Sequence, residues 1–380
     1  MTFTSKFPDL GLTIFSRMSQ LALQHGAINL SQGFPDYPCH DNLIQGAADA
    51  MREGFNQYAP MPGLPVLRQA IAAKLALQGH EVDADQEITV TAGATQALYT
   101  AIATTLHAGD EAIIIEPAYD SYAPAIVAQG AIPVRVALAP TAFAMDWDAV
   151  RAAVTPRTRL IIINNPNNPA TSVLTRSDLD ELFIIADTHD LLVLSDEVYE
   201  HLVFDGHQHH SVLSHPGLRL RAFAVYSFGK TFHATGWKVG YVVAPAFLTA
   251  EFRKLHQYLV FSVATPLQVA IARHLQAPEH WQGLSAFFAA KRARLAPGLE
   301  AAGFRLLPVA GTYFQIADYR DIRSDLGELE FCEWLTKEVG VAAIPLSAFY
   351  ADGRNQGLVR FCFAKQDTTL DAAIERLAKR

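Results

Sequence analysis

The sequence contains little cysteine and no long apolar run. Its three cysteines, Cys39, Cys332 and Cys362, are far apart and have no C-x-x-C spacing. This argues against structural disulfides and zinc and is typical of a reducing compartment. No window approaches the roughly 18 uninterrupted apolar residues of a membrane-spanning helix, and the first residues lack the apolar core of a signal peptide. We therefore expect a cytoplasmic protein with no membrane partner.

Charged residues are also scarce. Asp, Glu, Lys and Arg make up 18% of the 380 residues, the formal net charge is -8, and the lysines and arginines are scattered. A nucleic-acid-binding surface needs clustered positive charge, so nucleic acid is not an expected partner. Half of the residues are apolar, which is typical of a folded globular protein of this length with two domains.

Short β-branched runs alternate with helical segments from residue 87 to about residue 243. This alternation predicts an α/β domain with a mostly parallel seven-stranded sheet flanked by helices. A second alternating region, 304–364, predicts a smaller α+β domain, with which we pair the N-terminal arm. The predicted division is 1–45 for the arm, 46–280 for the large domain and 281–380 for the small domain. The predicted strands of the large sheet are 88–91, 111–115, 132–136, 160–163, 191–194, 222–226 and 239–243.

One lysine stands at the end of a predicted buried strand. Lys230 directly follows Ser227, Phe228 and Gly229, where burial would lower its pKa below the usual value of about 10.4. A lysine in such a place is able to react with a carbonyl as a nucleophile. The alternative is a lysine in a turn with its ammonium group in water, and this stretch alone does not separate the two interpretations.

Polar residues follow several other predicted strands, and ligands of open α/β sheets bind beyond the carboxyl ends of the strands. A small-residue turn that opens a helix suits a phosphate, a carboxylate suits a protonated ring nitrogen, and an amide and a phenol suit a ring oxygen. A further tyrosine suits the ring face, and the lysine suits an aldehyde. Together these groups match pyridoxal phosphate. For Asp196 alone, a helix N-cap remains the competing interpretation. The residues are Gly93, Ala94 and Thr95 (phosphate), Asp196 (ring nitrogen), Asn168 and Tyr199 (ring oxygen), Tyr119 (ring face) and Lys230 (aldehyde).

Four motifs carry a resemblance to a known family. NPNNP, SDEVY, SFGK with Lys238 eight residues after the lysine, and LVRFCFAK resemble the class I and II pyridoxal-phosphate aminotransferases of fold type I. INLSQGFPD, NQYAP, ITVTAGAT, EPAYDSYAP, TGWKVGY and VAAIPLSAFY resemble the branch of bacterial methionine aminotransferase and the kynurenine aminotransferases (glutamine transaminase K). Two departures are that arginine is frequent where this chain has Lys238, and that the usual glycine after NPxNP-Thr is absent from NPNNPATS.

The resemblance implies a role for each site residue. It makes Lys230 the Schiff-base lysine and proton shuttle, Asp196 the partner of the pyridine nitrogen, and Arg360 the clamp of the substrate α-carboxylate. Gly33 would let the substrate approach the backbone. It further implies a homodimer in which Tyr58 reaches the neighbouring site. The remaining roles are Tyr199 and Asn168 on the phenolic oxygen, Tyr119 on the ring, and Ala94, Thr95, Ser227 and Lys238 on the phosphate.

The substrate class is predicted from the arm, which is apolar and aromatic around Phe15 and Tyr37 and offers no obvious second arginine for a side-chain carboxylate. This favours ping-pong transamination of methionine, with phenylalanine, tyrosine or kynurenine possible, against a 2-oxo acid. Two alternatives stay open: β-elimination from cysteine S-conjugates on the same scaffold, and a non-catalytic, cofactor-binding regulator.

Three histidines in one short segment, His207, His209 and His210, invite a metal interpretation. The segment DGHQHH has no carboxylate or cysteine at ligand spacing, so we expect a solvated loop and no metal. The motifs of dinucleotide-binding enzymes, serine hydrolases and zinc proteases are absent from the sequence.

Overall fold

The computed structural model describes residues 4–8, 11–140 and 142–379. Seven strands form one sheet, and the strand Gly240–Val243 runs antiparallel to both of its neighbours while the other pairs are parallel. The predicted large α/β sheet is confirmed. In spatial order its strands are Ile88–Thr91, Gly240–Val243, Ala222–Ser227, Leu192–Asp196, Thr158–Asn164, Glu111–Glu116 and Ile132–Ala137.

The central strands are apolar on both faces because helices cover both sides of the sheet. Ile113 and Ile161 belong to one buried cluster and Ile114 and Ile162 to another, as expected when successive side chains of a strand point to opposite faces. The strand ends at the carboxyl edge are therefore held by two packed layers.

A second sheet lies in the C-terminal part of the chain, in the order Ile344–Pro345, Leu358–Cys362, Phe314–Asp318 and Arg305–Leu306, with antiparallel pairing. The N-terminal strand Ile28–Asn29 pairs in parallel with Val341–Ala342. The arm thus contacts the C-terminal part directly, whereas the boundaries at residues 45 and 280 stay a prediction.

Local sequence signals explain where several helices begin. Thr175 and Asp178 form a capping box at the start of Arg176–Thr188. Pro266 lies in the first turn of the helix Thr265–His274, where its missing N–H costs nothing. No helix in the described part of the chain is long and apolar enough to cross a bilayer. The helices are Ile14–Gln24, Asp41–Arg52, Pro65–Leu77, Ala94–Thr105, Tyr122–Ala128, Trp147–Ala153, Arg176–Thr188, Pro216–Arg219, Phe228–Thr231, Ala246–Leu259, Thr265–His274, Glu279–Gln282, Leu284–Ala301, Arg320–Arg323, Glu328–Trp334 and Asp367–Ala378.

Candidate active site

A cavity of about 180 Å³ lies at the carboxyl edge of the large sheet. Parallel strands bring their carboxyl ends to the same edge, so residues that are far apart in sequence meet there. Ten of the residues predicted to bind a cofactor line this cavity: Gly93, Ala94, Thr95, Tyr119, Asn168, Asp196, Tyr199, Ser227, Lys230 and Lys238.

Lys230 projects from the short helix Phe228–Thr231 that follows a central strand. Its Nζ donates hydrogen bonds to the carbonyl oxygen of Gly33 at 3.1 Å and to the hydroxyl of Tyr313 at 2.9 Å. Burial lowers the pKa of Lys230 to about 8. A substantial share of this amine is therefore neutral, and nucleophilic, near physiological pH.

Asp196 ends the neighbouring strand and is 4% exposed. One carboxylate oxygen accepts a 2.6 Å hydrogen bond from the hydroxyl of Tyr122, and the other accepts a longer, 3.4 Å bond from the backbone N–H of Val198. Burial raises the pKa of Asp196 to about 6, although the bond from Tyr122 opposes that rise. A cation placed in the cavity would relieve the cost of this buried charge.

Arg360 comes from the smaller sheet and is 1% exposed. Its guanidinium donates to Asn168 Oδ1 at 2.6 Å and to the carbonyl oxygen of Ser31 at 3.1 Å, and it lies 3.8 Å from the ring centroid of Phe314. The buried Nε has no hydrogen-bond partner among the described residues. Because a buried N–H without an acceptor is costly, this guanidinium suits a bound carboxylate.

The far end of the cavity suits an anion. Gly93 has φ +79° and immediately precedes the helix Ala94–Thr105, whose first N–H groups have no partner within the helix. A Cβ at Gly93 would lie 3.2 Å from Lys238 Nζ, so the ammonium lies directly against the start of the helix. A helix N-terminus beside a lysine is a favourable place for a phosphate.

Five predicted residues lie outside the cavity lining: Arg360, Tyr58 and three of the N-terminal arm, Gly33, Phe15 and Tyr37. Gly33 contributes its carbonyl oxygen to Lys230, and Phe15 lies with its ring centroid 5.6 Å from the Arg360 guanidinium. Tyr37 packs edge-on against His233 at 5.1 Å between ring centroids. Gly33 and Phe15 thus adjoin the site, whereas Tyr37 contributes to a neighbouring aromatic cluster.

Tyr58 lies on the surface, with 80% of its area exposed, and its ring contacts that of Phe261 at 5.0 Å. Hydrogen bonds from Ser262 Oγ to the Ala59 carbonyl and from Thr265 Oγ1 to the Gln57 carbonyl join the two segments. The rings of Tyr58 and Phe261 together form an exposed aromatic surface.

The histidine segment is less solvated than the sequence suggests. The His209 side chain is 12% exposed, and its Nε2 lies 3.2 Å from the Asn165 carbonyl oxygen and 3.5 Å from a Glu197 carboxylate oxygen. His207 is exposed. No group of three or more potential ligands able to hold a metal occurs among the described residues. His209 thus anchors the loop beneath the NPNNP segment.

Sequence reasoning missed Tyr122, Tyr313 and Asn164. Tyr122 comes three residues after Tyr119, within the same EPAYDSYAP motif, a position that could have signalled it. Asn164 donates to the Asp196 carbonyl at 2.8 Å and accepts from the Asn168 N–H at 2.6 Å, so it joins two strand ends. Tyr313 carries no local signal because the hydrogen-bond partners of its hydroxyl, Lys230 and Gly33, are more than 80 residues away in the sequence.

Comparison with known proteins agrees with this geometry. The family described as aminotransferase class I and II matches residues 25–377. Over 375 residues the chain is 53% identical to methionine aminotransferase of Escherichia coli (strain K12), covering 98% of this chain and 97% of that protein. The crystal structure of E. coli YbdL, described as identifying a methionine aminotransferase function, superimposes with a TM-score of 0.97 at 52% identity over 100% of both chains.

Two further relatives are named for other activities. Probable N-succinyldiaminopimelate aminotransferase DapC of Mycobacterium tuberculosis is 43% identical over 387 residues, covering 98% of this chain and 97% of that protein. Mouse kynurenine–oxoglutarate transaminase 1 is 35% identical over 398 residues, covering 96% and 93%. The branch resemblance predicted from the motifs is confirmed.

Proposed function

Because this chain belongs to the class I and II aminotransferases, a pyridoxal-phosphate-dependent family, we propose that it transaminates an apolar or aromatic L-amino acid, with methionine favoured. The proposed reaction is ping-pong: the amino acid leaves as a 2-oxo acid, and a second 2-oxo acid then accepts the amino group. One observation carries the proposal: Lys230 and Asp196 line one cavity, and Arg360, from a distant part of the chain, donates a hydrogen bond to Asn168 of the same lining.

The residues of the cavity fit pyridoxal phosphate. Asp196 would pair with the protonated ring nitrogen, whose positive charge would offset the desolvation of the buried carboxylate. Gly93, Ala94, Thr95, Ser227 and Lys238, which line the cavity, would bind the phosphate, while Tyr119 would pack on the ring and Asn168 and Tyr199 would bind its phenolic oxygen. The bound cofactor supplies the electron sink that makes the substrate α-proton acidic.

Lys230 is the proposed catalytic base and the covalent anchor of the cofactor, the Schiff base expected from the sequence. Once the substrate amine has displaced it from the cofactor, Nζ would be a free amine, and with its pKa held near 8 by burial it would be able to take a proton from the substrate α-carbon. The Gly33 carbonyl and the Tyr313 hydroxyl orient the amine toward the cavity.

Arg360 is the proposed carboxylate clamp. A substrate carboxylate provides the acceptors that the buried guanidinium lacks, and Asn168 Oδ1 fixes the guanidinium at 2.6 Å. Carboxylate binding there would hold the amino acid in one orientation within the site.

The proposed substrate class follows from what surrounds Arg360. Rings of Phe314, Phe15 and Phe349 lie 3.8, 5.6 and 5.1 Å from its guanidinium. These aromatic walls favour an apolar side chain over a carboxylate. The relation to E. coli methionine aminotransferase supports methionine in particular.

A substrate panel tests the proposal. The cofactor-loaded protein is assayed with methionine, phenylalanine, tyrosine, kynurenine, aspartate and N-succinyldiaminopimelate against one 2-oxo acid. We expect methionine and the aromatic amino acids to have the highest kcat/KM. A preference for aspartate or for N-succinyldiaminopimelate would contradict the proposed substrate class.

The same proposal includes a homodimer in the cytoplasm. The exposed surface of Tyr58 and Phe261 is of the kind that a second subunit covers, and Tyr58 then contacts the phosphate end of the neighbouring cavity. Sedimentation analysis tests the dimer, and Tyr58→Ala should weaken cofactor binding without abolishing the fold.

A further inference from the structure

A buried lysine lies behind the proposed active site, on the helix Pro65–Leu77. Lys74 is 2% exposed. Its Nζ donates to Glu200 Oε1 at 2.7 Å and to the Tyr241 hydroxyl at 3.2 Å. Lys74 therefore joins a helix outside the sheet to two segments next to the cavity.

Aromatic rings enclose the same ammonium group. The ring centroids of Tyr226, Tyr241 and Trp281 lie 5.8, 5.9 and 5.6 Å from Nζ. The rings of Tyr226 and Tyr241 stack at 4.7 Å, and the Tyr226 hydroxyl donates to Glu197 Oε2 at 2.9 Å. The lysine, two carboxylates and two phenols thus form one buried network.

Three residues of the network are sequence neighbours of residues proposed to bind the cofactor. Glu197 follows Asp196, Glu200 follows Tyr199, and Ser227 follows Tyr226. Tyr226 and Ser227 are successive residues of one strand, so their side chains point to opposite faces, whereas Glu200 and Tyr199 are neighbours in the turn after Asp196; in both places, anchoring one residue restricts its neighbour. The network thus fixes one side of these segments, and the residues proposed to bind the cofactor lie on their other side.

Stability alone is a weak reason for such a network. Two buried charges lose their hydration, and apolar residues of similar volume in their place are often as stable or more so. Glu200 nevertheless stays ionised, because although burial opposes ionisation, the Lys74 ammonium 2.7 Å away helps to hold the pKa of Glu200 below its usual range. An ion pair gives directional bonds that apolar packing does not.

We propose that Lys74 is a positioning residue for pyridoxal phosphate, acting through Glu200 and Tyr241 on the segments that carry Tyr199, Ser227 and Lys238. The inference rests on the proposed function, since it assumes that these segments bind the cofactor. Lys74 itself touches neither cofactor nor substrate.

The test replaces both charges, Lys74→Met with Glu200→Met, so that neither is left buried and unpaired. We expect a variant that unfolds at the wild-type temperature or above but binds pyridoxal phosphate roughly tenfold more weakly or worse, the size of effect seen when outer partners of ligating groups are removed. The circular dichroism band of the bound cofactor should also change, because its ring loses its fixed orientation.

A matched control removes an ion pair at the opposite end of the sheet, Glu111→Met with Arg157→Met. It should leave both the dissociation constant and the dichroism unchanged. A Lys74/Glu200 double variant with wild-type cofactor affinity and dichroism would overturn the inference, and so would one that fails to fold. If the wild-type protein itself does not bind pyridoxal phosphate, the proposed function fails instead.

Discussion

Replacing Asp196 with asparagine should make the cofactor-free protein more stable while weakening its hold on the cofactor. Burial raises the pKa of this carboxyl from 3.8 to about 6. The folded state then binds more protons than the unfolded state between these values, so stability falls as pH rises through that window and stays low above it. Asparagine does not titrate, and its amide oxygen is still able to accept the hydrogen bond from Tyr122.

The linkage relation gives the size of the effect. The carboxylate costs about 1 kcal/mol at pH 4.5 and about 3 kcal/mol at pH 7.5, as upper values, and the variant avoids this cost. Urea unfolding of both cofactor-free proteins at the two pH values measures it. An Asp196→Asn protein that is less stable than wild type at pH 7.5, or whose advantage is the same at both pH values, would refute the reasoning.

Three further predictions concern single residues of the site. Tyr122→Phe removes a hydrogen bond to a charged group, so the cofactor-free protein should lose about 1.5–3 kcal/mol at pH 7.5 in urea unfolding and its pH-dependent loss of stability should extend above pH 6; an unchanged profile would contradict this. Because the pKa of Lys230 is about 8, the rate of pyridoxal-phosphate capture, followed by stopped flow, should rise roughly 20-fold from pH 6.5 to pH 8.5 and then level off. A capture rate that does not depend on pH would contradict the lowered pKa of this buried amine. Gly33→Ala would bring a Cβ within 2.8 Å of Phe314 Cζ, so the ring that stacks on the clamp must shift and kcat/KM should fall at least about fivefold, whereas an unaltered value would mean that the ring yields freely.

The large sheet is predictable because its strands are short β-branched runs separated by helices, and the polar residue after each run lies at the same edge. That rule alone brings Asp196, Asn168 and Lys230 together. Arg360 could be assigned only through the family motif, since its strand belongs to a different sheet. The hydroxyl of Tyr313 and the network around Lys74 depend on side chains meeting across the fold, which no local pattern of residues records.

The place of the arm followed less directly from the sequence. Its parallel pairing with Val341–Ala342 involves two residues on each side, too few for a periodic signal. His209 shows a different limit of local patterns. The polar, histidine-rich segment predicts a solvated loop, whereas the His209 imidazole lies against a buried carboxylate.

The central claim is that Lys230 performs the chemistry at this site. The most direct measurement follows a single turnover of L-methionine to its 2-oxo acid. Cofactor-loaded wild-type protein and cofactor-loaded Lys230→Ala protein are each used in an amount equal to that of the amino acid. We predict rapid product formation by the wild type and a loss of several orders of magnitude in the variant, with the variant still folded and still binding the cofactor non-covalently. Product formation by Lys230→Ala at a rate comparable to wild type would contradict the account.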